Sequence, residues 1–213
     1  MAVLGTSEII RHLRDGLLVV SPILSRSQIG PASIDLRMGT VVLMPRSRGS
    51  SHVDPAAAKA MRATTGHALE IDRQQKQERY EVPFNARFLL HPGALALVPT
   101  LEWVKLPGNL QGSVTARSTW AREGLSIATA TFIEPGYQGI VTLELANLSP
   151  IPIALYPGLK LAQIAFMTVD GETQRSDNGQ FHLSFEPKQG QIAKDDELRF
   201  IPTLLGSELA ADR

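Results

Sequence analysis

Short apolar runs separated by turn-forming residues set the main limit on how this chain can fold. Runs rich in Val, Ile, Leu and Thr are separated by Pro-Gly pairs, which are Pro92-Gly93, Pro107-Gly108, Pro135-Gly136 and Pro157-Gly158. Proline and glycine favour tight turns, and runs of this length and composition are typical of β-strands. The pattern therefore predicts a mainly β sandwich or barrel of short strands. The pairs do not recur at a constant period, so no internal repeat is expected.

A single helix is predicted before the first strands. Its apolar positions recur at helical spacing, and they are Ile9, Ile10, Leu13 and Leu17. We expect Thr6 or Ser7 to cap the beginning of this helix and Gly16 to lie near its end.

The composition fits one soluble domain over residues 1–213, since 43% of the residues are hydrophobic and 20% are charged. Two polar stretches interrupt the strand pattern. The first, at about 45–79, is interpreted as a surface excursion with a short helix after Asp54-Pro55. The second, at about 170–213, is interpreted as a C-terminal tail or a lid ordered by a ligand or partner.

Charge and cysteine usage exclude several classes of function. Twenty-one Lys and Arg balance twenty-one Asp and Glu, so no global charge attracts nucleic acid or an acidic membrane. The absence of cysteine excludes disulfides, thiolate metal sites and cysteine nucleophiles, and it favours the cytoplasm. The five histidines lack ligand spacing, so no zinc site is expected, and no signal segment or membrane span is recognised. Any bound anion must therefore be held by a local cluster.

One such cluster lies in TARSTWAREG, where Arg117, Ser118 and Arg122 occur together. Ser118 and Arg122 are four residues apart and share a face if this segment is helical. Two guanidinium groups beside the hydroxyls of Ser118 and Thr119 suit a phosphate. The alternative is a solvated helix surface with ordinary salt bridges to residues such as Glu123, and spacing alone favours that alternative.

Glu144 is the second candidate, because it lies in the apolar strand sequence IVTLEL. A carboxylate in such surroundings needs a partner, a proton or solvent. The preceding sequence predicts a strand, a tight turn at Pro135-Gly136 and a second strand, which brings Glu144 within reach of Thr129 and Ala130. If the second strand alternates, Glu144 faces away from its two leucine neighbours. On the pattern alone, an edge-strand glutamate in solvent is an equal alternative.

Two further acids have structural interpretations. Glu134 precedes the turn and could cap it, bind a sugar hydroxyl or hold a metal through water, and the turn role is favoured. Asp35 lies in a short strand, where we expect it to pair with a basic residue such as Arg37 or to lie in solvent.

Taken in order, the motifs resemble one family. The chain is similar to dCTP deaminases, which are related to the trimeric dUTPases, through PASIDLRMG (31–39), FLLHPGALALVPTLEWVKLP (88–107) and the block 116–166. Within that block the series ARSxxAR, TAxxIxPGYxG, TLEL and PGxKxxQ is specific. The resemblance implies a distorted β-barrel or jelly-roll-like dUTPase-type fold with a few short helices. It also implies a homotrimer with nucleotide sites at subunit interfaces.

The resemblance also implies roles for individual residues. Glu144, Ser118 and Arg122 correspond to the catalytic set, and the glutamate of TLEL distinguishes deaminases from simple dUTPases. The implied substrate-binding residues are Arg117, Ser118, Thr119, Arg122, Thr129, Ala130, Glu134, Gln163 and Lys188.

The implied reaction is hydrolytic deamination of dCTP to dUTP and ammonia, which supplies dUTP for thymidylate synthesis. Glu144 would take a proton from a water positioned by Ser118 and by the backbone near Ala130. Mg²⁺ would accompany the triphosphate, and zinc is not expected because zinc deaminases need cysteine ligands. The implied partners are dCTP and dUTP, with dTTP as an inhibitor.

The chain departs from the family pattern at three places. Glu134 stands where the family usually has Asp, which argues against hydrolysis of dUTP to dUMP. The family's tail pattern Lys-Tyr-x-x-Gln is replaced by Ser184–Lys188, where Lys188 could supply the missing cation. The strand over 125–131 is one residue shorter than in some relatives. The alternatives are therefore a bifunctional enzyme that forms dUMP and pyrophosphate, or a nucleotide-binding trimer without turnover.

Overall fold

The computed structural model describes residues 2–46, 77–127, 132–171, 173 and 183–187. Its helices are α1 (Thr6–Arg14), a 3-10 turn (Arg26–Gln28) and α2 (Ser118–Arg122). Its strands are β1 (Val19–Ser21), β2 (Ile34–Arg37), β3 (Val41–Pro45), β4 (Gln77–Glu81), β5 (Phe88–Leu90), β6 (Leu95–Lys105), β7 (Leu110–Ala116), β8 (Leu125–Ile127), β9 (Phe132–Ile133), β10 (Gln138–Asn147), β11 (Ile153–Leu155) and β12 (Lys160–Thr168). The prediction of a mainly β fold with a few short helices is confirmed.

Most of the strands belong to two larger sheets. One sheet has the order β4-β3-β6-β10-β8, with β1 also paired to β6. The other has the order β2-β12-β7-β9, and β5 pairs separately with β11. We call them the six-stranded sheet and the four-stranded sheet.

The chain divides into two units. The first consists of Met1–Leu43 and Arg79–Lys188, and it contains every predicted site residue. The second consists of Met44–Glu78 and Gln189–Arg213, ranges that overlap the predicted excursion and tail. Most of the second unit lies outside the described residues, as does the helix expected after Asp54-Pro55. The extent of a single domain over 1–213 stays a prediction.

Alternating side chains build the core of the first unit. On β10, Leu143 and Leu145 are fully buried, whereas Thr142, Glu144 and Ala146 are only partly buried. This confirms the alternation predicted for the strand. Other fully buried side chains come from several elements and include Ile9, Ile34, Leu36, Leu110 and Phe166.

The first helix forms as predicted, but its capping differs. It begins after Gly5, and no side chain caps it. Thr6 Oγ1 instead donates to the carbonyl oxygens of Gly30 (3.0 Å) and Pro31 (3.1 Å). The cap predicted for Thr6 or Ser7 is therefore wrong, because the Thr6 hydroxyl is used to hold the helix against a loop. Gly16, at φ 69°, ends the segment as expected.

The turn at Pro135-Gly136 also forms. Among the described residues, β9, which directly precedes the turn, does not pair with β10, whereas β8, the first part of the predicted strand, does. β9 pairs with β7, and β10 pairs with β6 and β8. The Leu106 N–H donates to the Tyr137 carbonyl (2.9 Å), which keeps the end of the turn beside β6. The turn therefore carries the chain from the four-stranded sheet into the six-stranded sheet. Of the strand predicted over 125–131, Leu125–Ile127 is present as β8, and residues 128–131 lie outside the described residues.

Tyr137 ties this turn to β10 and gives the protein a predictable response to alkaline pH. Its hydroxyl donates to the Ile140 carbonyl (2.5 Å), and burial raises the pKa of Tyr137 to about 12. Because the folded-state pKa lies above the unfolded value near 10, the folded state loses roughly 2–3 kcal/mol as pH rises from about 10 to about 12.

We expect Tyr137→Phe to flatten the fall in unfolding free energy between about pH 10 and pH 12, as measured by urea denaturation at several pH values. Tyr156→Phe, at an exposed position, is the control. An alkaline profile unchanged by Tyr137→Phe would contradict this account.

Among the described residues, no helix is long and apolar enough to cross a membrane.

Candidate active site

The junction between β7 and α2 holds the predicted basic cluster. Arg117 is the residue before the first turn of α2, and its extended backbone (ψ 135°) ends β7 and starts the helix. Its N–H donates to the Leu161 carbonyl (3.0 Å), and Trp120 Nε1 donates to the Lys160 carbonyl (3.0 Å). Both bonds fix α2 against β12. The segment is helical, which is the condition under which Ser118 and Arg122 were expected to share a face.

Hydroxyl and guanidinium groups remain accessible on α2. Ser118, Thr119 and Arg122 are exposed, and Arg117 is half-buried. Within the described part of the chain, Arg122 has no ion pair, so the expected salt bridge to Glu123 is not formed there. The helix therefore presents donors that a ligand could use.

Asp35 anchors Arg117 from β2. Its carboxylate lies 3.5 Å from Arg117 Nε and 3.0 Å from Lys160 Nζ. The Asp35 side chain is only 16% exposed, which limits the solvent screening of both ion pairs. The expectation that Asp35 pairs with a basic residue is confirmed, but its partners are Arg117 and Lys160 rather than Arg37. Arg37 instead turns inward to the buried carboxylate of Glu102.

Gln163 extends this cluster along β12. It lies opposite Asp35 in β2 and opposite Thr115 in β7. Its Nε2 donates to Thr115 Oγ1 (3.4 Å), and its Oε1 accepts from Ser33 Oγ (3.5 Å). The four-stranded sheet thus gathers a carboxylate, two cations and an amide near the start of α2. This group consists of Asp35, Arg117, Lys160 and Gln163, and we call it the Asp35 cluster.

Lys160 is the member of this cluster that sequence analysis missed. It lies three residues from Gln163, a spacing that places side chains on opposite faces of a regular strand. A register shift between Lys160 and Ala162 breaks that alternation. The motif PGxKxxQ contains this lysine, so the sequence did mark it. Strand periodicity alone, however, does not predict that its side chain contacts Asp35.

Glu144 lies in the six-stranded sheet, where β10 is flanked by β6 and β8. It is opposite Leu97 of β6, and its side chain is partly buried on the face of β10 opposite to that of Leu143 and Leu145. The chain leads from α2 through Gly124 directly into β8, which pairs with the end of β10 at Leu145–Asn147. One short strand therefore separates the exposed groups of α2 from the strand that carries Glu144.

Gly124 is required where α2 turns into β8. Its φ is 86°, and a Cβ atom there would lie 2.8 Å from the backbone nitrogen of Ser149. A side chain at this position would clash with Ser149 in the loop that follows β10, so the glycine lets the junction of α2 and β8 pack closely against that loop.

Glu134 is exposed and accepts a backbone hydrogen bond from Tyr137 (3.2 Å), as expected of a turn residue. Thr129, Ala130 and Lys188 lie outside the described residues. Among the residues that are described, no three His, Cys, Asp or Glu side chains are grouped to hold a metal ion.

The architecture matches that of a solved deaminase. The crystal structure of 2'-deoxycytidine 5'-triphosphate deaminase from Agrobacterium tumefaciens aligns with a TM-score of 0.56 and 22% sequence identity. The alignment covers 77% of this chain and 47% of that chain. This likeness establishes the fold class, and it confirms the predicted architecture.

Sequence comparison then establishes the family. A dCTP deaminase-like family model matches residues 3–169. The chain is 30% identical over 207 residues to "dCTP deaminase, dUMP-forming" of Methanobrevibacter smithii, covering 93% of this chain and 100% of the relative. It is 33% identical over 188 residues to "dCTP deaminase" of Actinobacillus succinogenes, covering 88% and 94%. The chain belongs to the dCTP deaminase-like family, which confirms the resemblance seen in its motifs.

Proposed function

We propose that this protein is an enzyme that deaminates dCTP to dUTP and ammonia. The observation that carries the proposal is the half-buried Glu144 of the TLEL motif, one short strand away from the exposed Ser118 and Arg122. Family membership supports it, since both relatives named above are called dCTP deaminases.

Hydrolysis at C4 of cytosine forms one C–O bond and breaks one C–N bond. In the proposed mechanism Glu144 accepts one proton from the attacking water and delivers it to the ring nitrogen. It then takes the second proton from the new hydroxyl on C4 and delivers it to the amine, so that the C4 carbonyl forms as ammonia leaves. Ser118 and the backbone near Ala130 position this water. Arg122 orients the Glu144 carboxylate or stabilises the charge that develops, because a guanidinium group offers two donors in a fixed plane.

The triphosphate is proposed to bind at the Asp35 cluster. Arg117 is already fixed by Asp35, so less side-chain freedom is lost when its guanidinium group binds a phosphate. Gln163 and Thr119 add neutral donors, and Lys188 adds a cation from the tail. Mg²⁺ enters as part of the substrate, with the triphosphate oxygens as its ligands.

A homotrimer with sites between subunits is part of the proposal. Several large apolar side chains of the described chain are exposed, and they include Phe132 (62%), Leu148 (74%) and Ile151 (67%). Contiguous apolar patches mark surfaces that another chain covers, and these side chains are the candidate contacts of the proposed trimer. Sedimentation analysis should therefore find three chains per particle, and a monomer would contradict the assembly.

A second candidate function is formation of dUMP and pyrophosphate with the deamination. It is favoured by the Methanobrevibacter smithii relative, which is named dUMP-forming and is covered over its whole length. Glu134 argues against it, because the extra methylene displaces the carboxylate expected to act on the phosphate-attacking water. A displacement of about 1 Å can cost roughly 10²-fold in rate.

Glu134→Asp is therefore expected to increase pyrophosphate release from dUTP by about 10-fold or more, while ammonia release from dCTP changes little. Pyrophosphate is measured by a coupled assay, with Glu123→Asp as the matched control on an exposed residue. A wild-type protein that already releases pyrophosphate as fast as ammonia would show that Glu134 is competent and would favour the dUMP-forming function.

The proposal is tested by incubating the protein with dCTP and Mg²⁺ and resolving dUTP, dUMP, ammonia and pyrophosphate over time, with dUTP as a parallel substrate. Equal amounts of dUTP and ammonia are expected. Tight nucleotide binding without any product would contradict the proposal and favour a non-catalytic trimer. In that case the binding of dTTP would be compared with the binding of dCTP.

A further inference from the structure

The pairing of β10 with β6 breaks its register just before Glu144. Ile140 lies opposite Trp103, but Thr142 lies opposite Pro99, so Val141 faces the segment 100–102 of β6. The shift adds two residues on the β6 side and places Glu144 opposite Leu97.

Without this shift, a regular ladder continued from Ile140 would place Glu144 opposite Pro99. The bulge therefore moves Glu144 by two residues along β6, which is about 7 Å.

The Thr100 side chain closes this bulge. Thr100 is only 3% exposed, and its Oγ1 accepts a hydrogen bond from the Val141 N–H (3.0 Å). The same hydroxyl donates to the carbonyl oxygen of Glu102 (2.8 Å). One side chain thus satisfies a buried donor of β10 and a carbonyl of β6 that the interrupted ladder does not pair.

The Glu102 side chain connects the bulge to the four-stranded sheet. Glu102 is fully buried, and its Oε2 accepts from the Arg37 N–H (2.8 Å). Its Oε1 accepts from Arg37 Nε (2.7 Å) and from Gln28 Nε2 (2.9 Å).

Arg37 ends β2, the strand whose Asp35 holds Arg117 and Lys160. The next residue, Met38, forms an isolated bridge with Thr100. The link Arg37–Glu102–Thr100 therefore joins the strand of the Asp35 cluster to the bulge that precedes Glu144.

Stability alone does not account for this buried link. Replacing a buried ion pair by apolar side chains of similar volume is often neutral or stabilising, because both charges lose hydration when they are buried. Bulges, in contrast, often re-aim a side chain next to an active site. We propose that Thr100 and Glu102 are positioning residues, which hold Glu144 at its place along the six-stranded sheet and relative to the sheet that carries Arg117. This inference rests on the proposed deaminase function.

The test compares Thr100→Val, which keeps the shape but removes the hydroxyl, with Thr100→Ser, which keeps the hydroxyl. For deamination of dCTP, Thr100→Val is expected to lower kcat by about 100-fold and to leave KM within a few-fold of wild type. Thr100→Ser should restore kcat to within a few-fold. A merely structural threonine would change the melting temperature without this split between kcat and KM. A folded Thr100→Val protein with wild-type kcat would overturn the inference.

If Thr100→Val does not fold, the double variant Arg37→Met with Glu102→Met decides the question. It removes both charges, so its melting temperature is expected to stay near that of wild type, while kcat falls. Wild-type kcat in the double variant would overturn this inference, while the proposed deaminase function would still stand. Absence of ammonia release from the wild-type protein would overturn the proposed function and, with it, this inference, so the two failures are distinguishable.

Discussion

Glu144→Gln is expected to lower the turnover of dCTP by roughly 10²–10⁴-fold, the range that one general acid–base group contributes. The amide has nearly the size of the carboxylate, so the half-buried position on β10 should accept it without loss of fold. It cannot accept a proton from water at neutral pH, and turnover therefore falls while nucleotide binding persists.

The measurement is single-turnover deamination of dCTP, combined with titration of nucleotide binding. Glu8→Gln is the control, because Glu8 is an exposed carboxylate of α1 paired only with surface groups. Wild-type turnover in Glu144→Gln would remove Glu144 from the proton-transfer step. Loss of binding together with turnover would instead assign Glu144 a role in holding the nucleotide.

Arg37→Met is expected to have the largest effect on stability. It leaves the Glu102 carboxylate fully buried without its cation, and breaking a buried pair in this way costs about 3–5 kcal/mol of unfolding free energy. The backbone N–H of residue 37 and Gln28 Nε2 would remain as donors to Glu102, but both are neutral and cannot replace the guanidinium group.

Urea denaturation measures this effect, and Arg79→Met is the matched control. Arg79 pairs with Glu81 and Glu186 at the surface, where solvent screens both ion pairs, so its removal should change the unfolding midpoint little. Equal midpoints for Arg37→Met and Arg79→Met would contradict the importance of the buried pair.

Local sequence patterns predicted the elements that depend on nearest neighbours. The alternation around Glu144, the helix beginning at Ser118 and the turn at Pro135-Gly136 all follow from spacing and from turn residues. The motif series also identified the family, because several motifs in a fixed order are far more specific than any one of them.

Contacts between distant strands could not be predicted in the same way. Asp35 has several possible cations, and only the pairing of β2 with β12 and of β12 with β7 selects Lys160 and Arg117. The register shift that places Glu144 opposite Leu97 depends on a hydroxyl 44 residues earlier in the chain, at Thr100. Strand periodicity carries no information about either partner.

Deamination of dCTP in water enriched in ¹⁸O tests whether the protein hydrolyses the cytosine base at C4. Hydrolysis at C4 places one oxygen atom from water on the uracil ring and releases one ammonia per nucleotide, and both are measured on the same sample by mass spectrometry and an ammonia assay. We expect ¹⁸O to appear in the base of the product at the same rate as ammonia is released. Unchanged dCTP, or a product labelled only in its phosphates, would contradict the assignment of this protein as a dCTP-deaminating enzyme.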